Sequence, residues 1–251
     1  MIYERKLGKN KPLVSVIVPV FNGKPFLAEA IKSIQNQTYS HIEIIVVNDG
    51  STDGSEAVIR SFPSVISIYQ AHSGLSAALN NGIKMAKGDF FAFLDADDIW
   101  VKDKLWNQMR ILIHNPEIEA VFGHIVQFSC IKETDQIKDE DTDHKISGYC
   151  KGSMLIRKQS FLQIGFFDTQ WKVGDFIDWY KRAKEKDLNT VLIPEIVMKR
   201  RIHNHNMGFN NKEHKRDYVR ILKAAMDRRR KNKTEKRDVF GSGREKRSKN
   251  E

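Results

Sequence analysis

Two hydrophobic periods alternate along the first half of the chain. Val14 to Val20 (VSVIVPV) is a β-branched run of strand length that ends near Pro19 and the Asn22, Gly23 turn. Pro25 to Gln37 then places Phe26, Leu27, Ala30, Ile31 and Ile34 at helical spacing, with Pro25 suited to a first turn. Ile42 to Val47 is a continuous apolar strand broken by Asn48-Asp49-Gly50-Ser51. Ser55 to Phe62 predicts a short helix, Val65 to Tyr69 a third strand, Gly74 to Ala86 a helix and Phe90 to Leu94 a fourth strand.

Strands that are apolar without alternation are covered on both faces, and β-α-β order at this spacing predicts a parallel sheet with right-handed crossovers. In such sheets ligands sit beyond the carboxyl ends of the strands. Those ends carry Phe21-Asn22, Asn48-Asp49-Gly50 and Asp95-Ala96-Asp97-Asp98. After Asp98 the pattern loosens. It predicts a helix over Lys102 to His114, a strand over Ala120 to Phe128, a charged mobile loop over Lys132 to Ser147 and a strand over Gly152 to Ile156. A helix over Phe176 to Lys186, a strand over Thr190 to Ile193 and a last helix from His214 to about Arg230 complete it. There is no internal repeat.

Composition narrows the class. Of 251 residues, 40% are hydrophobic and 29% charged, as in a globular protein large enough to need no disulfide or metal staple. No apolar run reaches the roughly 20 residues of a membrane-spanning helix. Met1 to Lys11 is polar and basic, unlike a secretory signal. Cys130 and Cys150 are too few for a disulfide framework, so a cytoplasmic location with reduced thiols is expected. The net charge of +10 is uneven: Arg228 to Glu251 holds 11 Lys or Arg against 4 Asp or Glu, a net of +7. The expectation is therefore a domain over 1–227 followed by a basic, disordered tail over 228–251. Such a tail suits an anionic membrane face or an acidic partner, and the near-neutral remainder argues against nucleic acid.

Phe93-Leu94-Asp95-Ala96-Asp97-Asp98 carries the strongest chemical signal. Three carboxylates at the end of an apolar strand repel one another, and a divalent cation relieves that cost. Oxygen ligands suit Mg2+ or Mn2+, ions commonly shared with substrate phosphates. The alternative is an acidic turn in which Asp98 caps the following helix.

Four segments then resemble the family-2 glycosyltransferases: VSVIVPVFN at 14–22, SIQNQTY at 33–39, IIVVNDGSTDGS at 44–55 and SGLSAALNNGIKMAKGDFFAFLDADD at 73–98. The resemblance implies an α/β GT-A fold. Its nucleotide-binding half, about 12–100, is Rossmann-like, with a mostly parallel sheet and helices on both faces, and a smaller mixed acceptor half spans 101–227. It also implies inverting transfer of a sugar from a nucleoside-diphosphate donor, UDP-sugar favoured, to a saccharide, lipid-linked or peptide acceptor with Mn2+ or Mg2+.

By the same resemblance Pro19, Phe21 and Asn22 cover the base and ribose, and Asp49 accepts from the nucleobase imide. Asp53 is instead a helix-start residue. Gly74 and Ser76 open a helix whose free N–H groups face the donor. Asn80 falls at a recurrent family position, Asp95 reaches the ribose or the metal's water, and Asp97 binds the metal. Arg200 and Arg201 neutralise diphosphate, and His203, with His205 the weaker candidate, completes the metal site. The family's Glu-Asp pair ahead of a Trp-bearing helix is absent from Val173-Gly174-Asp175-Phe176-Ile177-Asp178-Trp179. Asp175 is the candidate base and Asp178 the alternative. Trp171 and Trp179 line the acceptor cleft or belong to the core. The missing pair also leaves open a catalytically silent module that binds nucleotide sugars or a partner.

Overall fold

The computed structural model describes residues 11–129, 146–203 and 215–245, with side chains of the last helix described as far as Lys231. Its elements run β1 (Val14–Val20), α1 (Lys24–Gln35), β2 (Ile42–Asp49), α2 (Ser55–Arg60), β3 (Val65–Gln70), α3 (Leu75–Met85) and β4 (Phe90–Phe93). They continue with β5 (Ile99–Trp100), α4 (Lys104–His114), β6 (Ala120–Ser129), β7 (Leu155–Arg157), α5 (Lys158–Ile164), α6 (Asp175–Glu185), β8 (Thr190–Ile202) and α7 (Lys215–Glu245).

One eight-stranded sheet has the order β3-β2-β1-β4-β7-β6-β8-β5. β3, β2, β1 and β4 are mutually parallel, β7 runs antiparallel to β4 and β6, and β8 is parallel to β6. Every residue of β1 is buried, but successive ones serve different layers. Val14, Val16, Val18 and Val20 pack with Leu27, Ile31 and Ile34 of α1 and with Leu105 and Met109 of α4. Ile17 packs on the other face with Ala78, Leu79 and Ile83 of α3 and with Phe161 and Trp179. Helices on both faces thus explain strands that read as unbroken apolar runs. α3 presses so closely on β1 that a Cβ at Gly82 would stand 2.6 Å from Ile17 Cγ2.

Pro19 lies in this central strand without disturbing it. Ile17 O accepts from Leu94 N–H, so Ile17 and Pro19 both turn their backbone groups toward β4. The β1–β4 pairing ends at Ile17, and the missing donor of Pro19 is not needed.

Three features differ from the sequence expectation. β8 does not stop at Pro194: the ladder shifts register between Gly123 and His124, which pair with Ile193 and Ile196, and the strand continues to Ile202. A bulge is where a strand tolerates proline. The Gly152 to Ile156 segment is a 3-10 turn (Lys151–Ser153) followed by β7, and α5 and β5 were not anticipated. α7 runs past Arg228 to Glu245, where a disordered tail was expected. Arg, Lys and Glu are good helix formers, and charge density alone conceals that. Cys130, His205 and most of Lys132 to Ser147 lie outside the described residues.

Candidate donor and metal site

The ends of β1, β2 and β4 converge on the opening of α3. Asp49 is 2% exposed, and its carboxylate is filled by its own chain. Oδ1 accepts from Gln70 Nε2 and the Ser73 N–H, both at 2.7 Å, and Oδ2 accepts from the Gly74 N–H at 2.9 Å. His72 Nδ1 lies 2.9 Å from Oδ2. A carboxylate has about four acceptor positions, and all are used. The His72 ring also stacks on exposed Phe21, with centroids 4.0 Å apart. One exposed planar nitrogen ring thus stacks on Phe21 and contacts Asp49 at the same time.

The neighbouring loops are held by short polar side chains. Asn22, in the left-handed region at φ 53°, accepts from the Thr52 N–H at 2.8 Å, while its own N–H donates to Ser51 Oγ. Asp53 accepts from the N–H groups of Ser55 and Lys24, so it opens α2 and clasps α1, as a helix-start residue does. Ser76 Oγ is buried with no hydrogen-bond partner. The Asn80 amide donates to Phe167 O (2.8 Å) and accepts from the Phe167 N–H (3.1 Å), pinning α3 to the loop before α6.

Beyond β4, Asp95, Asp97 and Asp98 take different partners. Lys151 Nζ is 2.9 Å from Asp95 Oδ1 and 4.0 Å from Asp175 Oδ2. Burial works to lower the Lys151 pKa, but Asp95 and Asp175 outweigh it and hold the ammonium well above the ordinary lysine range. His203 Nε2 is 3.0 Å from Asp97 Oδ2, and its ring stacks on Phe26. Burial, and then the charge of Asp95, push the Asp97 carboxyl up, with His203 pulling the other way. Asp98 is pushed up to about 8 by burial, Asp95 and Asp97, and it accepts from the Arg201 N–H at 2.9 Å.

The two arginines part company because neighbouring strand residues face opposite ways. Arg200 is exposed, whereas Arg201 is buried between Phe26 and Phe128, at 4.7 and 4.6 Å, and donates to Asp97 O and Glu29. Arg201 therefore braces the carboxylate loop and is withdrawn from the diphosphate-binding set.

Asp175 and Asp178 are also separated. Asp175 faces Lys151, and its Oδ2 is buried without a hydrogen-bond partner. Asp178 accepts from Arg182 Nε at 2.9 Å and pairs with Arg228 of α7 at 3.4 Å. Trp179 is wholly buried, stacks on Phe161 and donates to Gly165 O, a core residue rather than a cleft wall. Trp171 is buried beneath Arg220.

Residues 15–166 match the family described as Glycosyl transferase family 2. The chain belongs to that family. It is 36% identical over 209 residues to an uncharacterised glycosyltransferase of Rickettsia prowazekii, covering 76% of this chain and 64% of the relative. The chain therefore spans just under two thirds of that relative's length. Among solved structures, S. aureus TarS in complex with UDP-GlcNAc superposes with a TM-score of 0.67 at 17% identity, covering 84% of this chain and 65% of that one. The mannosyltransferase PcManGT of Pyrobaculum calidifontis, in complex with GDP-Man and Mn2+, gives 0.59 at 22% identity, covering 79% and 59%. The fold is GT-A.

Gly174 stands directly before Asp175 with φ 80°, and a Cβ there would meet Ile221 Cδ1 of α7 at 2.8 Å. The positive φ favours glycine at that position, and α7 packs closely over it. Lys151 was not found from sequence. Its carboxylate partners lie far away along the chain, and a lone lysine in an irregular segment gives no signal. No group of three or more His, Cys, Asp or Glu able to hold a metal occurs among the described residues. Asp97 and His203 supply an oxygen and an imidazole side by side at the carboxylate loop, a set that fits Mn2+ or Mg2+ when donor phosphates and water complete the shell.

Proposed function

We propose that this chain is an inverting glycosyltransferase that moves a sugar from a nucleoside diphosphate to a hydroxyl acceptor. The observation that carries the reading is the convergence of Asp97–His203 and Asp95–Lys151–Asp175 at the carboxyl edge of the parallel strands. Asp97 and His203 would hold the divalent cation, which supplies charge neutralisation for the leaving diphosphate. Lys151 holds Asp95 and Asp175 in register on either side of the cleft. Asp175 Oδ2, buried and without a hydrogen-bond partner, takes the proton of the acceptor hydroxyl. The acceptor oxygen then bonds to the anomeric carbon from the face opposite the diphosphate, whose bond breaks. That free lone pair favours an enzyme over a silent binding module.

Uridine is the favoured base. His72 already stacks on Phe21 and contacts Asp49, and uracil exchanging with it would keep both interactions through its ring and its imide N–H. The test is a thermal-shift panel of UDP, GDP and their sugars with and without Mn2+, followed by hydrolysis of the stabilising sugar nucleotide. Ligands stabilise by mass action, so UDP with Mn2+ should raise the melting temperature and its sugar should turn over. Absence of stabilisation by every nucleotide, with or without metal, would sink the reading. Binding without hydrolysis or transfer to any acceptor would favour the silent module.

A further inference from the structure

Among its described side chains, Arg216 to Lys231, α7 meets the body of the protein along one stripe. Asp217, Ile221 and Ala225 are buried there, and Arg228 reaches Asp178 and Glu185. On the opposite side Val219, Leu222 and Met226, at i, i+3 and i+7, are 68%, 49% and 55% exposed. This apolar stripe is bordered by cations. Between Arg216 and Lys231 the exposed charged residues are Arg216, Arg220, Lys223, Arg229, Arg230 and Lys231, against the single acid Asp227. Ordinary exposed helix faces are polar, and a helix that seeks a protein partner through an apolar stripe has no need of a cationic border. An apolar stripe flanked by a row of Lys and Arg on one side and by Arg229 on the other matches an interface of acyl chains below anionic headgroups.

We propose that this face of α7 docks on an anionic lipid surface. The docking would bring the base-side entrance of the site to that surface. Asp217 Oδ2 accepts from the Lys172 N–H at 3.1 Å, Arg220 lies over Trp171, and Ile221 packs on Gly174 beside Asp175. An acceptor held at the lipid surface would then meet Asp175 from the α7 side. The docking itself does not depend on the donor chemistry, so the two readings fail separately.

The experiment is cosedimentation of the full chain with vesicles of phosphatidylcholine alone and of phosphatidylcholine mixed with phosphatidylglycerol. Binding should require the anionic lipid and fall with added salt. Each exposed cation removed, as in Arg229→Gln or Lys223→Gln, should weaken it by about fivefold. Leu222→Asp with Met226→Asp should abolish it while circular dichroism and melting stay as in the parent, since both positions are exposed. Equal binding to neutral vesicles, or no loss in the double variant, overturns the proposal. A parent dimer in sedimentation velocity that the double variant splits, without lipid binding by either, overturns it in favour of a second copy as the occupant.

Discussion

Lys151 Nζ sits 2.9 Å from Asp95 Oδ1, and this contact joins the carboxylate loop after β4 to the mouth of α6, because the same ammonium is 4.0 Å from Asp175 Oδ2. Removing the cation leaves two carboxylates facing each other across a largely closed space. Lys151→Met should destabilise by about 1–3 kcal/mol, less than a fully buried pair would lose, because the Asp95 side chain retains solvent. Thermal melts check this, and an unchanged melting temperature would show that the contact is incidental.

The pairing of Asp97 with His203 predicts how the metal responds. Asp97→Ala should remove Mn2+-dependent stabilisation by UDP altogether. His203→Ala should weaken it by about ten- to a hundredfold, the range for a metal site that loses a supporting group. Titration of Mn2+ in the presence of UDP reads both. Full metal-dependent stabilisation in Asp97→Ala would remove the ion from this loop.

In the candidate site, the strand-end carboxylates could be placed from local pattern, whereas His203 and Asp175 were named through the family resemblance and Lys151 was not named, for physical reasons. Asp49 ends β2, and Asp95 and Asp97 come within four residues of the end of β4, so local pattern and sheet topology together place them. His203 depends on β8 continuing past Pro194, and a proline in a strand reads as a stop unless the bulge opposite His124 is known. Lys151 depends on contacts distant along the chain, which local periodicity cannot encode. Asp175 and Asp178 share one helical turn, and the placement of Lys151 beside one and of Arg228 on α7 beside the other tells them apart.

His72 gives a test of the base site. If its ring exchanges with uracil, His72→Ala removes a competitor worth one ring stack and one contact with the Asp49 carboxylate. UDP should then bind roughly threefold to tenfold more tightly. Asp49→Ala should instead abolish the preference for UDP over GDP and lower the melting temperature, because the N–H groups of Ser73 and Gly74 lose their acceptor. Weaker UDP binding in His72→Ala would make His72 part of the pocket wall rather than its occupant.

Lys104 predicts a pH dependence away from the site. It is buried against Gln108, with Nζ 2.7 Å from Oε1, and lies over the Trp100 ring; burial pushes its pKa down to about 7. An unfolded lysine titrates near 10.4. Between those values the unfolded chain holds a proton that the folded chain lacks, so stability from this group rises with pH from about 7 to about 10. Lys104→Met should lose that rise and gain most against the parent below neutral pH. Denaturant melts at a series of pH values measure it. Parallel pH profiles for the two proteins would show that Lys104 stays protonated in the fold.

The last prediction separates Asp175 from Asp178. An inverting transfer needs a carboxylate with a free lone pair where the acceptor hydroxyl arrives. Asp175 Oδ2 is buried without a hydrogen-bond partner and stands beside Lys151 on the donor side. Asp178 is committed elsewhere, to Arg182 within α6 and to Arg228 from α7. Asp175→Asn keeps the shape and removes the base, so turnover should fall by at least about a hundredfold while UDP binding is unchanged. Asp178→Asn breaks a buried ion pair that ties α7 to α6, so it should cost about 1–3 kcal/mol of stability and leave turnover per folded molecule close to the parent's. Rate and melting temperature measured on both variants make the comparison. A large rate loss in Asp178→Asn with Asp175→Asn near normal would reverse the assignment. Loss of UDP binding in Asp175→Asn would mean that Asp175 acts through Lys151 and Asp95 on the donor rather than on the acceptor proton.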